Sequence, residues 1–171
     1  MTEAPLTDDY FEETVLAALL AWPGAKVQHF FFEGKPVPLA RQRSAVIKPA
    51  FGKPRVVAFS PKQNIFQKDK IYCACLGQKP IRFEPPYTVA LKFICEPLKS
   101  VREEYPVSPT HGDLDNLQKL IFDSLFFDMG PKAKRNVPVY RDDRHIVNNI
   151  LFKRLPGPGE KPGIHFWMVK P

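Results

Sequence analysis

The chain has 171 residues, of which 44% are hydrophobic and 25% charged, a balance that is typical of a folded globular protein and excludes a disordered one. A formal net charge of +7 favours a polyanionic partner such as a nucleic acid. The longest apolar run, Thr14–Pro23, is too short to span a bilayer, and the acidic start of the chain differs from a basic secretory signal. We therefore expect a cytoplasmic protein with no membrane partner.

The first 60 residues predict a helix followed by three strands. Apolar residues spaced three or four apart predict a helix that begins at Thr7, Asp8 or Asp9 and runs to about Trp22. The aromatic-rich stretch Lys26–Glu33 predicts a strand. The segments 41–48 and 55–59 predict a hairpin with basic residues at its tip.

The remaining residues predict a mixture of helices and strands. Ser60-Pro61 opens a helix whose apolar face is expected to contain Ile65, Ile71, Tyr72 and Leu76. Strands are predicted at Tyr87–Cys95, His145–Leu155 and Ile164–Val169. A helix from Asp113 to about Phe127 has core spacing at Leu117, Leu120, Ile121, Ser124 and Leu125.

This irregular order predicts an α+β fold, with helices packed on a mixed β-sheet. Residues 1–25 are interpreted as an N-terminal helical extension, and residues 26–171 as one further domain. The N-terminal helix could extend a dimer interface or cover the sheet, and the sequence leaves both alternatives open.

The three cysteines, Cys73, Cys75 and Cys95, cannot all form disulfides within one chain. Cys73 and Cys75 lie on a predicted helix, where residues two apart point in nearly opposite directions and ligate one zinc ion poorly. We expect buried free thiols.

A cluster of carboxylates carries the predicted chemistry. Asp113 would cap a helix whose first turn contains Asp115, so that both carboxylates can face one cation, with Lys119 one turn further along the same face. Magnesium prefers such oxygen ligands, and a helix start attracts phosphate. Asp142 or Asp143, at the mouth of a strand, would complete the site. The alternative to a metal site is purely structural: Asp113 caps the helix, Asp115 forms a surface ion pair with Lys119, and Asp142 and Asp143 lie in a turn.

Several motifs in order resemble one nuclease family. The stretches Asp113-Leu-Asp-Asn-Leu-Gln-Lys-Leu-Ile-Phe-Asp-Ser-Leu125 and Val139-Tyr-Arg-Asp-Asp-Arg-His-Ile-Val147 resemble the acidic helix and the later acidic strand of the RusA Holliday junction resolvases. Phe32-Glu-Gly-Lys-Pro-Val-Pro-Leu-Ala-Arg-Gln-Arg43 is similar to their opening strand, and Ser60-Pro61-Lys62 to the start of their first helix.

The resemblance covers about residues 30–154 and implies a homodimeric, Mg²⁺-dependent enzyme that cuts four-way DNA junctions in recombination and repair, with Mn²⁺ as a substitute ion. It implies Asp113, Asp115 and Asp143 as metal ligands, with Lys119 and Asp142 as further catalytic residues. Two departures are a longer joint at 126–138 and residues 1 to about 25, which have no counterpart.

Basic residues are candidates for DNA phosphate contacts, because phosphate neutralisation by Lys and Arg dominates affinity for DNA. They are Arg41, Arg43, Lys48, Lys53, Arg55, Lys132, Lys134, Arg135 and Arg144. Three other functions remain open: a non-catalytic module that binds branched DNA, a nuclease with broader flap or branch preference, and an RNA-binding scaffold.

Overall fold

Three helices and two sheets form the part of the chain that the computed structural model describes, namely residues 14, 17–21, 23–39, 43–48, 53–59, 62–99, 105–126, 140 and 143–170. In chain order the elements are α1 (Ala17–Leu20), β1 (Lys26–Glu33), β2 (Arg43–Ile47), β3 (Arg55–Phe59), α2 (Lys62–Gly77), β4 (Tyr87–Ile94), α3 (Leu114–Leu125), β5 (Ile146–Arg154) and β6 (Gly163–Lys170). Single 3₁₀ turns, Pro109–His111 and Asp143–His145, precede α3 and β5. Within these ranges no helix has the length and apolar character that a membrane crossing requires.

The larger sheet determines where the candidate residues lie. Its four strands have the order β1-β6-β4-β5, in which β6 pairs antiparallel with β1 and β4, whereas β4 and β5 are parallel. Parallel neighbours need a crossover connection, and α3 lies in it, between the end of β4 and the start of β5. The predicted α+β class with a mixed sheet is confirmed. The smaller sheet is the hairpin of β2 and β3, also as predicted.

Both long helices pack on one face of the larger sheet. The five predicted core positions of α3 are all buried there, because their spacing of three and four puts them on one side of the helix. The predicted face of α2 is partly wrong, since Ile65 and Leu76 are 52% and 40% exposed. The buried positions of α2 are instead Asn64, Ile71 and Cys75. Tyr72 packs against the core in part, whereas Ile65 and Leu76 lie outside this buried stripe and face solvent.

The opposite face of the sheet is also covered. Every residue of β4 is buried, even Lys92, whose Nζ lies 5.8 Å from the centroid of the Trp167 ring. Leu19 of α1 is buried against Ala90 and Trp167 on this face. At this point the N-terminal segment therefore covers the sheet. The rest of the helix predicted from about residue 7 to Trp22 lies outside the described residues, apart from residue 14 and Ala21.

The cysteines only partly follow the prediction. None of the three forms a disulfide bond, and Cys73 and Cys75 do lie on a helix, but Cys73 is exposed. Cys75 and Cys95 are buried, and burial raises the pKa of the Cys75 thiol to about 12. Only Cys73 is therefore accessible to a reagent in solution.

An ion pair fixes the turn between β5 and β6. Arg154 is 8% exposed, and its Nη2 donates to Oε1 of Glu160 at 2.7 Å. The backbone N–H of Gly157 donates to the same carboxylate at 2.9 Å. Burial by itself would raise the pKa of Glu160, but the hydrogen bonds from Arg154 and Gly157, with the positive charges of Arg154 and Lys92, lower it overall.

We expect Glu160→Gln to lower the free energy of unfolding by about 2–3 kcal/mol at pH 7, because the buried guanidinium loses its charged partner. A carboxylate with a lowered pKa stabilises the fold above its unfolded-state pKa, and this contribution disappears as the pH falls through the folded-state value. The difference between the two proteins should therefore narrow as the pH falls below about 4.5. Urea unfolding at several pH values measures it.

Glu33→Gln is the matched control, because the pair of Glu33 with Lys161 is exposed. We expect it to cost no more than about 0.5 kcal/mol. Equal losses for the two variants would contradict a structural role for the Arg154–Glu160 pair.

Candidate active site

The start of α3 presents two carboxylates to solvent. Asp113 is the N-cap residue, with extended backbone at φ −80° and ψ 150°, but its side chain does not cap the helix. Its Oδ2 instead accepts a hydrogen bond of 3.3 Å from Nδ2 of Asn116, across the helix start. Asp113 therefore keeps oxygen lone pairs that an ordinary N-cap would use on the backbone.

Asp115 and Lys119 lie on the exposed side of the same helix. Asp115 is in the first turn, Lys119 follows four residues later, and both are exposed. Among the described residues no ion pair joins them and no hydrogen bond of either side chain is found, so the simple surface pair is not formed. The side chains that face solvent at this end of α3 thus include two carboxylates and one ammonium group.

Three neighbours hold the start of α3 in place. Gly112 has φ +72°, and a Cβ atom there would lie 2.4 Å from Cβ of Pro38. Lys153, near the end of β5, donates from Nζ to the carbonyl oxygen of Gly112 at 2.8 Å. His111 is buried and its Nε2 lies 2.9 Å from the carbonyl oxygen of Glu96, within hydrogen-bonding distance.

The sequence did not single out Lys153, since its position in a strand carries no local signal of a contact 41 residues away. The hydrogen bond from Lys153 to Gly112 shows where in the fold α3 begins. Lys153 is next to the last residue of β5, so the carboxylates of Asp113 and Asp115 lie at the carboxyl end of the two parallel strands.

Asp143 lies at the other end of these strands. It is the first residue of the 3₁₀ turn that leads into β5, and the ring of His145 in that turn contacts Tyr87, the first residue of β4. The end of α3 is on the same side, because the N–H of Tyr140 donates to the carbonyl oxygen of Leu125 at 3.1 Å.

Asp143 is therefore not brought to Asp113 and Asp115 within one chain, contrary to our expectation. The 12 residues of α3 span about 18 Å, and the seven steps from Ile146 to Lys153 span about 23 Å. Two carboxylates that share one Mg²⁺ must approach to within about 4 Å of each other. Consistently, the described part of the chain contains no cluster of three or more His, Cys, Asp or Glu residues that could hold a metal ion. Asp142 lies outside the described residues.

The basic candidates fall into two groups by position. Lys48, Lys53 and Arg55 are exposed on the β2–β3 hairpin, which also exposes the side chains of Val46 and Val56 by 60% and 73%. Arg144 is exposed beside Asp143, at the opposite end of β5. Arg43 is the first residue of β2, whereas four candidates lie outside the described residues: Arg41, Lys132, Lys134 and Arg135.

The hairpin is connected to the same end of the fold as Asp113. Its first strand follows the segment 35–39, in which Pro38 contacts Gly112. Two residues separate the end of its second strand from the start of α2. Both ends of the hairpin therefore adjoin, along the chain, segments that lie close to the start of α3.

Comparisons with known proteins leave this site to be interpreted from its own chemistry: no family model matches the chain, and no curated protein matches it significantly.

Proposed function

We propose that the protein is a Mg²⁺-dependent, structure-specific endodeoxyribonuclease of the RusA type, which acts in the cytoplasm and resolves four-way DNA junctions by paired phosphodiester hydrolysis. The observation that carries this proposal is the start of α3, where Asp113 does not cap its own helix and Asp115 is exposed beside it. The basic hairpin connected to that end supports a polyanionic substrate.

The donor set at the start of α3 fits a hard divalent cation. Asp113 and Asp115 offer four carboxylate oxygens. Among the described contacts, only Oδ2 of Asp113 already accepts a hydrogen bond, from Asn116. A bound Mg²⁺ would lower the pKa of the attacking water and offset charge on the phosphate, and Mn²⁺ has the same ligand preference. Lys119 either stabilises the leaving or a non-bridging oxygen, or positions the water.

The third carboxylate is proposed to come from a second copy of the chain. Asp143 is too far from Asp113 to share an ion with it in one chain, so a metal site with all three residues needs Asp143 of another subunit, with Asp142 as a neighbouring contributor. A twofold homodimer would complete two such sites at once. Two equivalent sites suit a junction with two symmetric cleavage positions.

A non-catalytic module that binds branched DNA is the second candidate. The separation of Asp143 from the other two carboxylates favours it, since a monomer would then hold only two of the three proposed ligands. Cleavage separates the two candidates directly.

The test is incubation of the protein with a synthetic four-way junction in Mg²⁺, in Mn²⁺ and in EDTA, beside flap and linear duplexes of the same sequence. We expect paired nicks at symmetric positions with either metal, none in EDTA, and slower cleavage of the other substrates. Binding without any cut would support the non-catalytic module, whereas equal cleavage of flaps would indicate a broader branch nuclease.

A further inference from the structure

A groove runs along the first half of α2 towards the start of α3, and we call it the α2 groove. One wall is the segment 34–39 after β1, and the other is the side of α2 that carries Gln63, Gln67 and Lys70, whose spacing of four and three puts them on one helix face. Its wide part has a volume of about 440 Å³, and its narrow part continues past Lys70. Lys35 and Val37 line both parts, which are therefore adjacent.

The wide part opens beside the candidate active site. Thr110, three residues before Asp113, lines it, and so does Pro38, which packs against Gly112. A DNA strand whose phosphate lay at the start of α3 would therefore have its next nucleotide at the mouth of this groove.

The walls have the chemistry of a nucleotide site. Pro36, Pro38 and Leu39 present apolar surfaces on which the flat face of a base can lie. On the other side, the amide of Gln63 and the hydroxyl of Thr110 can each donate and accept hydrogen bonds, as the edges of bases require. The volume lies in the range of pockets that enclose small organic ligands.

The charges along the groove favour a phosphate backbone. Lys35 lines both parts and Lys70 lines the narrow part. Lys35 forms an ion pair with Glu96 at 3.9 Å, but both side chains are exposed, that of Lys35 by 41%, so its ammonium group stays accessible to solvent. Among the described residues of the walls one carboxylate is present, Glu33 in the narrow part, and Lys161 binds it at 2.9 Å.

We propose that the α2 groove binds an unpaired nucleotide of the DNA strand that is cut, next to the scissile phosphate. This inference rests on the proposed nuclease function and adds to it that the enzyme unpairs and captures a base at the junction centre. Extrusion costs least where pairing is already weakened, as at a strand crossover, so the groove also contributes to selection of branched DNA.

Four-way junctions that carry 2-aminopurine at single positions around the cleavage site test the proposal. Ca²⁺ replaces Mg²⁺ so that the DNA is bound but remains intact, and fluorescence anisotropy establishes saturation. Among the described residues that line the wide part no side chain is aromatic, so a captured base is not quenched by stacking on one. We expect the fluorescence to rise at least about twofold at one position beside the cut.

Two tryptophan variants fill the groove from opposite walls. We expect Val37→Trp and Gln63→Trp to abolish the rise in fluorescence and to slow junction cleavage in Mg²⁺, which quenching by the indole ring alone would not do. The affinity for the junction should change less than about threefold, since most phosphate contacts remain. Gln63 is exposed on α2, so its variant keeps the test valid if Val37→Trp fails to fold by circular dichroism. Val107→Trp is the control, because Val107 is 79% exposed and does not line the groove.

A charge reversal tests the phosphate contact separately. Lys35→Glu should reduce the fluorescence rise by more than half, whereas Lys26→Glu, the same change at the far end of β1, should leave it as in wild type.

If both tryptophan variants keep the full fluorescence rise, the groove does not hold the base. If the wild-type protein cuts junctions without any rise, the groove inference alone fails. A wild-type protein that neither binds nor cuts junctions overturns the proposed function and this inference together.

Discussion

Two inactive variants, Asp113→Asn and Asp143→Asn, are expected to recover junction cleavage when they are co-expressed. Each alone should cut at least about a hundredfold more slowly than wild type, because each loses a proposed metal ligand. Each proposed site is composite, with Asp113 and Asp115 from one subunit and Asp143 from the other. In a mixed dimer, one composite site therefore contains both substitutions and the other contains neither. With random assembly half of the dimers are mixed, so about a quarter of all sites are intact. Mixed dimers should therefore nick one strand of each junction rather than two, which denaturing gels of labelled junctions detect.

The matched control is co-expression of Asp113→Asn with Asp115→Asn. Both residues lie at the start of α3, so every composite site in that mixture carries one substitution and no activity should return. Binding of the junction in Ca²⁺ should persist for all three variants. A site shared between subunits would be ruled out by one result: the wild type is active, mixed dimers of Asp113→Asn and Asp143→Asn are shown to form, and the mixture still does not cut.

Gly112→Ala is expected to destabilise the protein by about 2–6 kcal/mol, because a side chain enters a backbone conformation that is essentially restricted to glycine (φ +72°, ψ 168°) and also clashes with its neighbour. The backbone at Gly112 has φ +72°, and the added Cβ would approach Cβ and Cγ of Pro38 to 2.4 and 2.7 Å. The proline ring is rigid, so relief requires the backbone before α3 to move. Chemical denaturation gives the loss of stability, and cleavage by the folded fraction should also fall, because Asp113 would be displaced.

Gly24→Ala separates the two contributions. Gly24 has a similar positive φ of +79°, but nothing lies within 4 Å of an added Cβ. Its substitution should cost about 1 kcal/mol, from the backbone alone. Similar losses at both glycines would mean that the contact with Pro38 does not constrain the start of α3.

Local patterns were sufficient for most elements of the fold. The spacing of Leu117, Leu120, Ile121 and Leu125 predicted both α3 and its buried side, because one helix face is read directly from neighbouring residues. The aromatic stretch Lys26–Glu33 predicted β1 with the observed bounds. On α2 the same reasoning was less accurate, because the helix is weakly amphipathic and its apolar residues do not form one stripe. Packing against α3 and β1 then selected Ile71 and Cys75 for burial rather than Ile65 and Leu76.

The α2 groove could not be found in this way. Its walls come from the segment after β1, from α2 and from the turn before α3, and nothing in those segments indicates that they meet. The same is true of Lys153 and Gly112, whose contact depends on which end of β5 lies beside α3.

By itself, the sequence determined that Asp113 and Asp115 stand at a helix start and that Asp143 stands at the mouth of a strand, because caps, periodicity and strand patterns are properties of neighbouring residues. Only the tertiary structure decided that these two places lie at opposite ends of α3. The parallel pairing of β4 with β5 forces the connecting helix to run back along the sheet, so its start and the start of β5 are separated by the length of the strands.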